Sequence, residues 1–445
     1  MKKTNILQNN IYQRFILYFL IWNVYLTFMS IYSPLGINWL DWHSQRIFNF
    51  SEFLKLNGFF SHYGFSVWSK CINCVLNSDI FEGEIYLSLN LISNLPYVIL
   101  NNYFGEDFLK LNGHYIDKSI ILITGILIAE IFNKKNANRS SSNENFYFSI
   151  IIFTFFVINP WTYKMLLAHW MHIFFVFFFI LGIYMFILKN DKLGFFFFLI
   201  AGFTDYQSAA GLMAYFMLIL ILSYLKNDLS ISDKYFPTNS KKQIVKNKII
   251  LSFFFPLIIF IFLKILATNN IEYSSGSSIL SRIGISGNDL NNGGIIGSLQ
   301  FLGGNRITQC LTNFDYNFSN QSLDEKIYIF NCSLSIISLG LISLASIFSL
   351  FVFDIKKSEL FTIIILPFLF LLLSYSFILQ QSSSVHLMGY SYFFSIIFSY
   401  GLASLFLNVL KKYNFSVSSI ILSLPIIIGI FFICIRVNML TGLNG

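Results

Sequence analysis

Nine consecutive residues, Asn38-Trp39-Leu40-Asp41-Trp42-His43-Ser44-Gln45-Arg46, place a carboxylate, an imidazole and a guanidinium close together in the sequence. A carboxylate in such a setting can act as a general base on an acceptor hydroxyl. Trp39 and Trp42 suit an anchor at the level of lipid headgroups. Asp41 also precedes a possible amphipathic helix from Asp41 to Asn57, with Ile47, Phe50, Phe53 and Leu54 on one side. Aspartate is a favoured helix N-cap, so the cap and the base are equally good readings of this position.

The other reactive side chains are scattered. The six histidines are His43, His62, His114, His169, His172 and His386. His169 and His172 lie three apart and would share a helix face. With Asp205 they are candidates for a metal or sugar site, or for an ordinary interfacial helix end. Asp205 is the strongest of the three, because an ionisable group at the edge of a membrane segment is a functional hypothesis by default. Phosphate would call for cations, and arginine offers a two-point grip. Arg46, Lys118, Lys164, Arg282 and Arg306 are the candidates, with Lys264 better read as a snorkelling side chain. Gly293-Gly294 and Gly303-Gly304 match no phosphate-loop pattern and suit a mobile loop. Cys71-x-x-Cys74 lacks the second pair a zinc site needs. Cys310 and Cys332 form a disulfide only if the compartment is oxidising; otherwise the thiols are unpaired.

These residues must be held by long apolar elements. A membrane-spanning helix needs about 20 apolar residues. Eleven segments qualify: 15–33, 117–133, 146–163, 169–188, 193–205, 208–225, 249–267, 329–353, 360–379, 388–409 and 417–439. The fifth is short and would meet the sixth in a turn at Thr204-Asp205-Tyr206. With the N-terminus in the cytoplasm, every loop on that side carries lysine or arginine, including Lys2, Lys3 and Arg14, Lys189 and Lys192, and the run from Lys226 to Lys248. This is the positive-inside pattern. All six histidines then fall outside. Two long external loops remain, 33–117 and the glycine-rich 269–328, within a single integral membrane domain of residues 1–445. The stretch from Ile85 to Phe104 reads as interfacial or re-entrant, and the start Met1-Lys2-Lys3 reads as leading into a retained first helix.

Composition agrees. Of 445 residues, 56% are hydrophobic and 11% charged, which excludes an ordinary soluble enzyme and a disordered chain. Long continuous apolar runs exclude a transmembrane β-barrel. The formal net charge of +8 fits basic membrane loops better than nucleic-acid binding. The expected fold class is therefore all-α, a polytopic helical bundle of about eleven spans.

An acid shortly after the first spanning helix, in a long external loop with an amphipathic helix, resembles the GT-C superfamily of membrane glycosyltransferases. Leu95-Pro96-Tyr97-Val98-Ile99-Leu100 followed by Phe104-Gly105-Glu106-Asp107 is similar to the proline segment and glycine step of that group. Asn159-Pro160 is similar to its third-helix exit, and His386-Leu387-Met388-Gly389-Tyr390 stands where some members have an Arg-Tyr pair. Many members carry two adjacent acids after the first helix; here Asp41 is followed by Trp42, so a divalent metal is compatible with the pattern but not demanded by it. The resemblance implies an extracytoplasmic active face in a bacterial-type inner membrane. A sugar would pass from a polyprenyl-phosphate carrier to a glycan, lipid or protein acceptor, with Asp41 as base by position. From the residues themselves, His43 and His386 would shape the site, Arg46, Arg282 and Arg306 would hold donor phosphate, and His169, His172 and Asp205 would line the substrate pocket. An O-antigen polymerase or ligase relying on Arg282 and Arg306, and a lipid-linked glycan flippase or transporter, are the rivals.

Overall fold

A computed structural model describes residues 2–32, 51, 66–68, 84–86, 91–136, 142–167, 170–238, 242–270, 274–275, 323–354, 361–378, 384–412, 426–435 and 437. Among the described residues, four helical stretches are long and apolar enough to cross a membrane: Ile11–Ile31, Tyr206–Leu225, Gln243–Leu266 and Tyr392–Leu410. A fifth arises if the pair Asn145–Ile158 and Pro160–Leu167, bent by 53°, is one span. Shorter apolar helices occupy His172–Ile187, Ile337–Val352, Phe361–Ser374 and Ile426–Ile435. Among the described residues the regular structure is helical apart from three short strands, which are an addition to the all-α expectation.

In chain order the elements are α1 (Lys2–Tyr32), β1 (Ser66–Trp68), β2 (Glu84–Tyr86), α2 (Leu91–Phe104), α3 (Glu106–Asn112), α4 (His114–Asn136), α5 (Ser142–Ile158), α6 (Pro160–Leu167), α7 (Met171–Ile187), α8 (Asp191–Thr204), α9 (Tyr206–Leu225), α10 (Leu229–Tyr235), α11 (Gln243–Asn270), β3 (Ser274–Ser275), α12 (Leu323–Ser349), α13 (Leu366–Ile378) and α14 (Ser384–Lys412). π-Helical turns, Leu350–Asp354 and Phe361–Ile365, follow α12 and precede α13. The chain divides into two compact units. Unit 1 comprises residues 1–37, 122–164 and 289–445; unit 2 comprises 38–121 and 165–288.

In unit 1, α14 packs against α5, α12 and α13. Its span is 78% buried, against 28% for that of α1, so α14 is the hub and α1 lies at the periphery. Small residues let α12 and α14 approach closely. Ser346 Oγ donates to Phe398 O at 2.9 Å and Ser349 Oγ to Gly401 O at 2.6 Å. A Cβ at Gly401 would overlap the side chain and backbone of Ser346. Aromatic contacts fill the rest, with Phe132 stacked on Tyr400 at 4.5 Å and Trp161 edge-on to Phe394 at 4.6 Å. The break between α5 and α6 is chemically specified. Asn159 Oδ1 accepts from Thr162 N at 2.8 Å, and Pro160 occupies the first helical position, where its missing N–H costs nothing.

Unit 1 also buries an ion pair. Arg14 Nε and Nη2 donate to Glu130 Oε1 and Oε2 at 2.9 and 3.0 Å, and Tyr18 donates its hydroxyl to Oε1 at 3.1 Å. A planar guanidinium matched to both carboxylate oxygens gives the two-point geometry that makes such a pair tolerable away from water.

In unit 2, α7 and α8 form an antiparallel hairpin, with Gly182 against Phe198 and Gly194 against Phe186. α11 runs parallel to α8: Lys248 lies over the Phe195 ring, Gly202 meets Pro256, and Tyr206 stacks on Phe260 at 3.7 Å. The region expected to be interfacial, Ile85 to Phe104, divides into β2 and α2. At about 1.5 Å per residue, the 14 residues of α2 cover about 21 Å, short of a hydrocarbon core about 30 Å thick. Gly105, at φ 86°, breaks α2 from α3 in a conformation that favours glycine. The strands pair in the order β1-β2-β3: β1 antiparallel to β2, with Val67 opposite Ile85, and β2 parallel to β3, with Ile85 opposite Ser274. Residues from the two longest segments between spanning helices thus share one small sheet.

Candidate functional site

Of the site candidates whose side chains the structure describes, Lys118, His172 and Asp205 lie in unit 2 and Lys164 in unit 1. The unit-2 group begins with a helix break. α8 ends at Thr204, whose hydroxyl turns back to Ala201 O. Asp205 is extended, at φ −149° and ψ 99°, and α9 starts at the next residue. The aspartate Oδ1 accepts from Gln207 N at 3.0 Å and Ser208 N at 3.2 Å, and Oδ2 accepts from the Ser208 hydroxyl. These bonds satisfy donors that every helix start leaves orphaned. Asp205 is fully buried.

His172 sits in the first turn of α7 and is buried as well, its Nε2 lying 3.6 Å from Asp205 Oδ2. That is too long for a hydrogen bond but within ion-pair range if the imidazole is protonated. The sequence-based grouping of His172 with Asp205 is therefore realised in space, while the primary duty of Asp205 is to cap α9. An acid that caps a helix and faces an imidazole can still bind a sugar hydroxyl or pass a proton.

A second buried acid stands nearby in the fold. α2 carries Ser93, Asn94, Tyr97 and Asn101 as a buried polar stripe, with 93, 97 and 101 spaced one helical turn apart. Tyr97 donates its hydroxyl to Asp117 Oδ1, and both residues are fully buried. The Tyr97 ring meets Phe174 edge-on at 6.1 Å, two residues beyond His172, so the starts of α4 and α7 gather around α2. Leu109 completes this apolar cluster. Asn101 Nδ2 donates to Ser51 Oγ at 3.0 Å, tying a buried residue of the first long loop to α2. His114, at the head of α4, has its pKa lowered to about 4 by burial and then by the neighbouring Lys118 ammonium, so it is neutral at ordinary pH.

Tyr97, Asp117 and the α2 stripe were not among the sequence candidates. Asp117 could have been found by the rule that selected Asp205, an ionisable group at the edge of an apolar segment. In the sequence it marks only the boundary of the first long loop. Of the sequence candidates, Asp41, His43, Arg46, His169, Arg282 and Arg306 lie outside the described residues, and the side chain of His386, in α14, does too. Among the described residues, no group of three or more His, Cys, Asp or Glu side chains is arranged to hold a metal ion.

The direction of the helices gives unit 2 two chemically distinct ends. Along the parallel pair α8 and α11, the end of α8 stands level with Phe260, and α11 continues to Asn270 before β3. The start of α7, with His172, and the junction at Asp205 lie toward that end, whereas the α7–α8 turn and the start of α11 lie at the other. No family model, no curated protein and no solved structure matches the chain.

Proposed function

We propose that the chain is a polytopic membrane glycosyltransferase of GT-C type, taking a sugar from a polyprenyl-phosphate carrier to a glycan, lipid or protein acceptor on the extracytoplasmic face. The proposal includes the eleven-span topology with a cytoplasmic N-terminus, which puts the sheet and the His172–Asp205 pair on the outer side of a bacterial-type inner membrane. The observation that carries it is the pairing of β2 with β3, which joins the loop containing Asp41 to the segment that continues toward Arg282 and Arg306. A transfer site needs an acceptor base and phosphate ligands in one place, and two loops sharing a sheet offer a means of bringing them there. The short helices α2 and α3 within the first loop add support.

In this mechanism Asp41 removes the acceptor hydroxyl proton as that oxygen attacks the anomeric carbon of the donor. The bond from that carbon to the carrier phosphate breaks, and its electron pair leaves with the phosphate. Arg46, Arg282 and Arg306 balance the charge on the departing phosphate, and His43 and His386 shape the site around it. His172 and Asp205 bind donor or acceptor hydroxyls.

The test supplies a radiolabelled polyprenyl-phosphate sugar to membranes carrying the full chain and measures label in non-carrier products. The expected result is transfer by the wild-type chain and its loss in Asp41→Asn by about 10²-fold or more, the scale of a general base. Transfer indifferent to Asp41 but dependent on both Arg282 and Arg306 would replace this reading with the polymerase or ligase.

A further inference from the structure

The end of unit 2 opposite β3 is a different kind of surface. α7 and α8 are joined by a tight turn with Lys189 at φ 61° and Asn190 capping α8 by accepting from Leu193 N. α9 and α11 are joined through the seven-residue α10, whose start is capped by Asp228 accepting from Ser230 N at 2.9 Å. α10 is held down firmly. Buried Lys246 donates to Ser232 Oγ at 2.7 Å and pairs with Asp233, and Phe236 packs on Phe216 with ring centroids 4.9 Å apart. The two corners are neighbours, because Lys248 near the start of α11 lies 6.0 Å from the centre of the Phe195 ring near the start of α8.

Lys189, Lys192, Lys226, Lys234, Lys242 and Lys248 are all exposed on this end. The acids there are Asp191, Asp228 and Asp233, and the last is engaged by Lys246. Interleaved with the lysines, Tyr224, Leu225, Leu229 and Ile244 are each at least two-thirds exposed. These apolar side chains stand where two helices apolar enough to cross a membrane, α9 and α11, leave their spans. Lysine heads above apolar groups at the ends of spans match the layering of a bilayer, with phosphates outside and acyl chains beneath.

We propose that this lysine-rich end of unit 2, built on the pinned helix α10, is a docking surface for anionic phospholipid headgroups. The proposal rests on the membrane-spanning helices and is independent of the glycosyltransferase reading. The occupant follows from charge and position together: four exposed apolar residues at span ends would be wasted on a soluble polyanion, and a zwitterionic headgroup would not satisfy the excess of lysine. α10 serves as a fixed foot, because its own polar needs are met inside the protein by Asp228 and by the Lys246 pair.

The test uses the purified full chain in mixed micelles of neutral detergent with phosphatidylglycerol or phosphatidylcholine. It reads the thermal unfolding midpoint and lipid retention by native mass spectrometry. Phosphatidylglycerol is expected to raise the midpoint and remain bound where phosphatidylcholine does not, and the effect should shrink as salt rises. The combined Lys226→Gln, Lys234→Gln, Lys242→Gln and Lys248→Gln variant, which leaves the Lys246 anchor intact, is expected to bind phosphatidylglycerol at least about tenfold more weakly. Equal response to the two lipids, unchanged binding by this variant, or full reproduction of the effect by inorganic phosphate would overturn the proposal. If the fourfold variant fails to fold, Lys189→Gln with Lys192→Gln and the salt series on the wild-type chain decide the matter, since binding insensitive to both also overturns it.

Discussion

Glu130 in unit 1 and Asp205 in unit 2 are both buried carboxylates, and they are satisfied in different ways. Glu130 is gripped at two points by Arg14 and receives a third bond from Tyr18. Asp205 receives two backbone N–H groups and a serine hydroxyl, with His172 standing 3.6 Å away. The first acid is matched by a permanent opposite charge, so its value is architectural: it fastens α1 to α4. The second is held by backbone and hydroxyl dipoles and faces an imidazole in place of a guanidinium. Asp205 is thus held mainly by dipoles where Glu130 is held by a charge.

Removing Glu130 should do the most damage. Glu130→Gln or Glu130→Ala leaves the Arg14 guanidinium buried without its counter-charge, and a loss of about 3–5 kcal/mol is expected in thermal or denaturant unfolding in detergent. The double variant Arg14→Met with Glu130→Leu should recover most of that loss. If Glu130→Gln is as stable as wild type, the contrast with Asp205 fails at its first term.

Asp205 should behave more gently and discriminate by chemistry. Asp205→Ala removes an N-cap and is expected to cost about 1–2 kcal/mol. Asp205→Asn keeps an oxygen for the N–H groups of Gln207 and Ser208 and should stay within about 1 kcal/mol of wild type. An Asn variant as damaged as the Ala variant would mean that the negative charge, and not the cap, holds this junction.

The smallest effect belongs to Asp228, the exposed counterpart of Asp205 at the far end of unit 2. Its pKa is lowered, first by the Ser230 hydroxyl, then by the Ser230 N–H, with a contribution from the Lys226 charge. Because the folded value lies below the unfolded one, its contribution is present above about pH 4 and is lost as pH falls through the folded value. Asp228→Ala should therefore lower the unfolding midpoint slightly at pH 7 and make no difference near pH 2. A deficit unchanged across that range would argue against a carboxylate cap.

What could be read from the residues followed physical signal strength. Of the eleven expected spans, apolar length is matched among the described residues by four helices, or five with the bent pair, and the turn at Thr204-Asp205-Tyr206 and the Asn159-Pro160 step are where the chain does break. The rule about ionisable groups at membrane edges singles out Asp205, and the three-residue spacing from His169 singles out His172. The Arg14–Glu130 pair escaped notice because its partners are 116 positions apart and each, taken singly, looks like an ordinary charge at a helix end. Tyr97 and Asp117 escaped for a related reason, since α2 has mixed polarity and reveals its buried stripe only when Ser93, Tyr97 and Asn101 are placed on one face. The strands gave no alternation to detect, because three, three and two residues are too few to show a period of two.

The small sheet also sets an order of events during synthesis. β1 and β2 are made early and can pair soon after they emerge, but β3 is translated only after α2 through α11. The parallel half of the sheet therefore waits on about 190 residues of later chain, at about 5–20 residues per second. Until Ser274 and Ser275 arrive, β2 presents an unpaired edge, the kind of exposed backbone that invites a wrong partner. A nascent chain truncated within α11 should consequently be more vulnerable to protease around residues 84–86 than the finished protein.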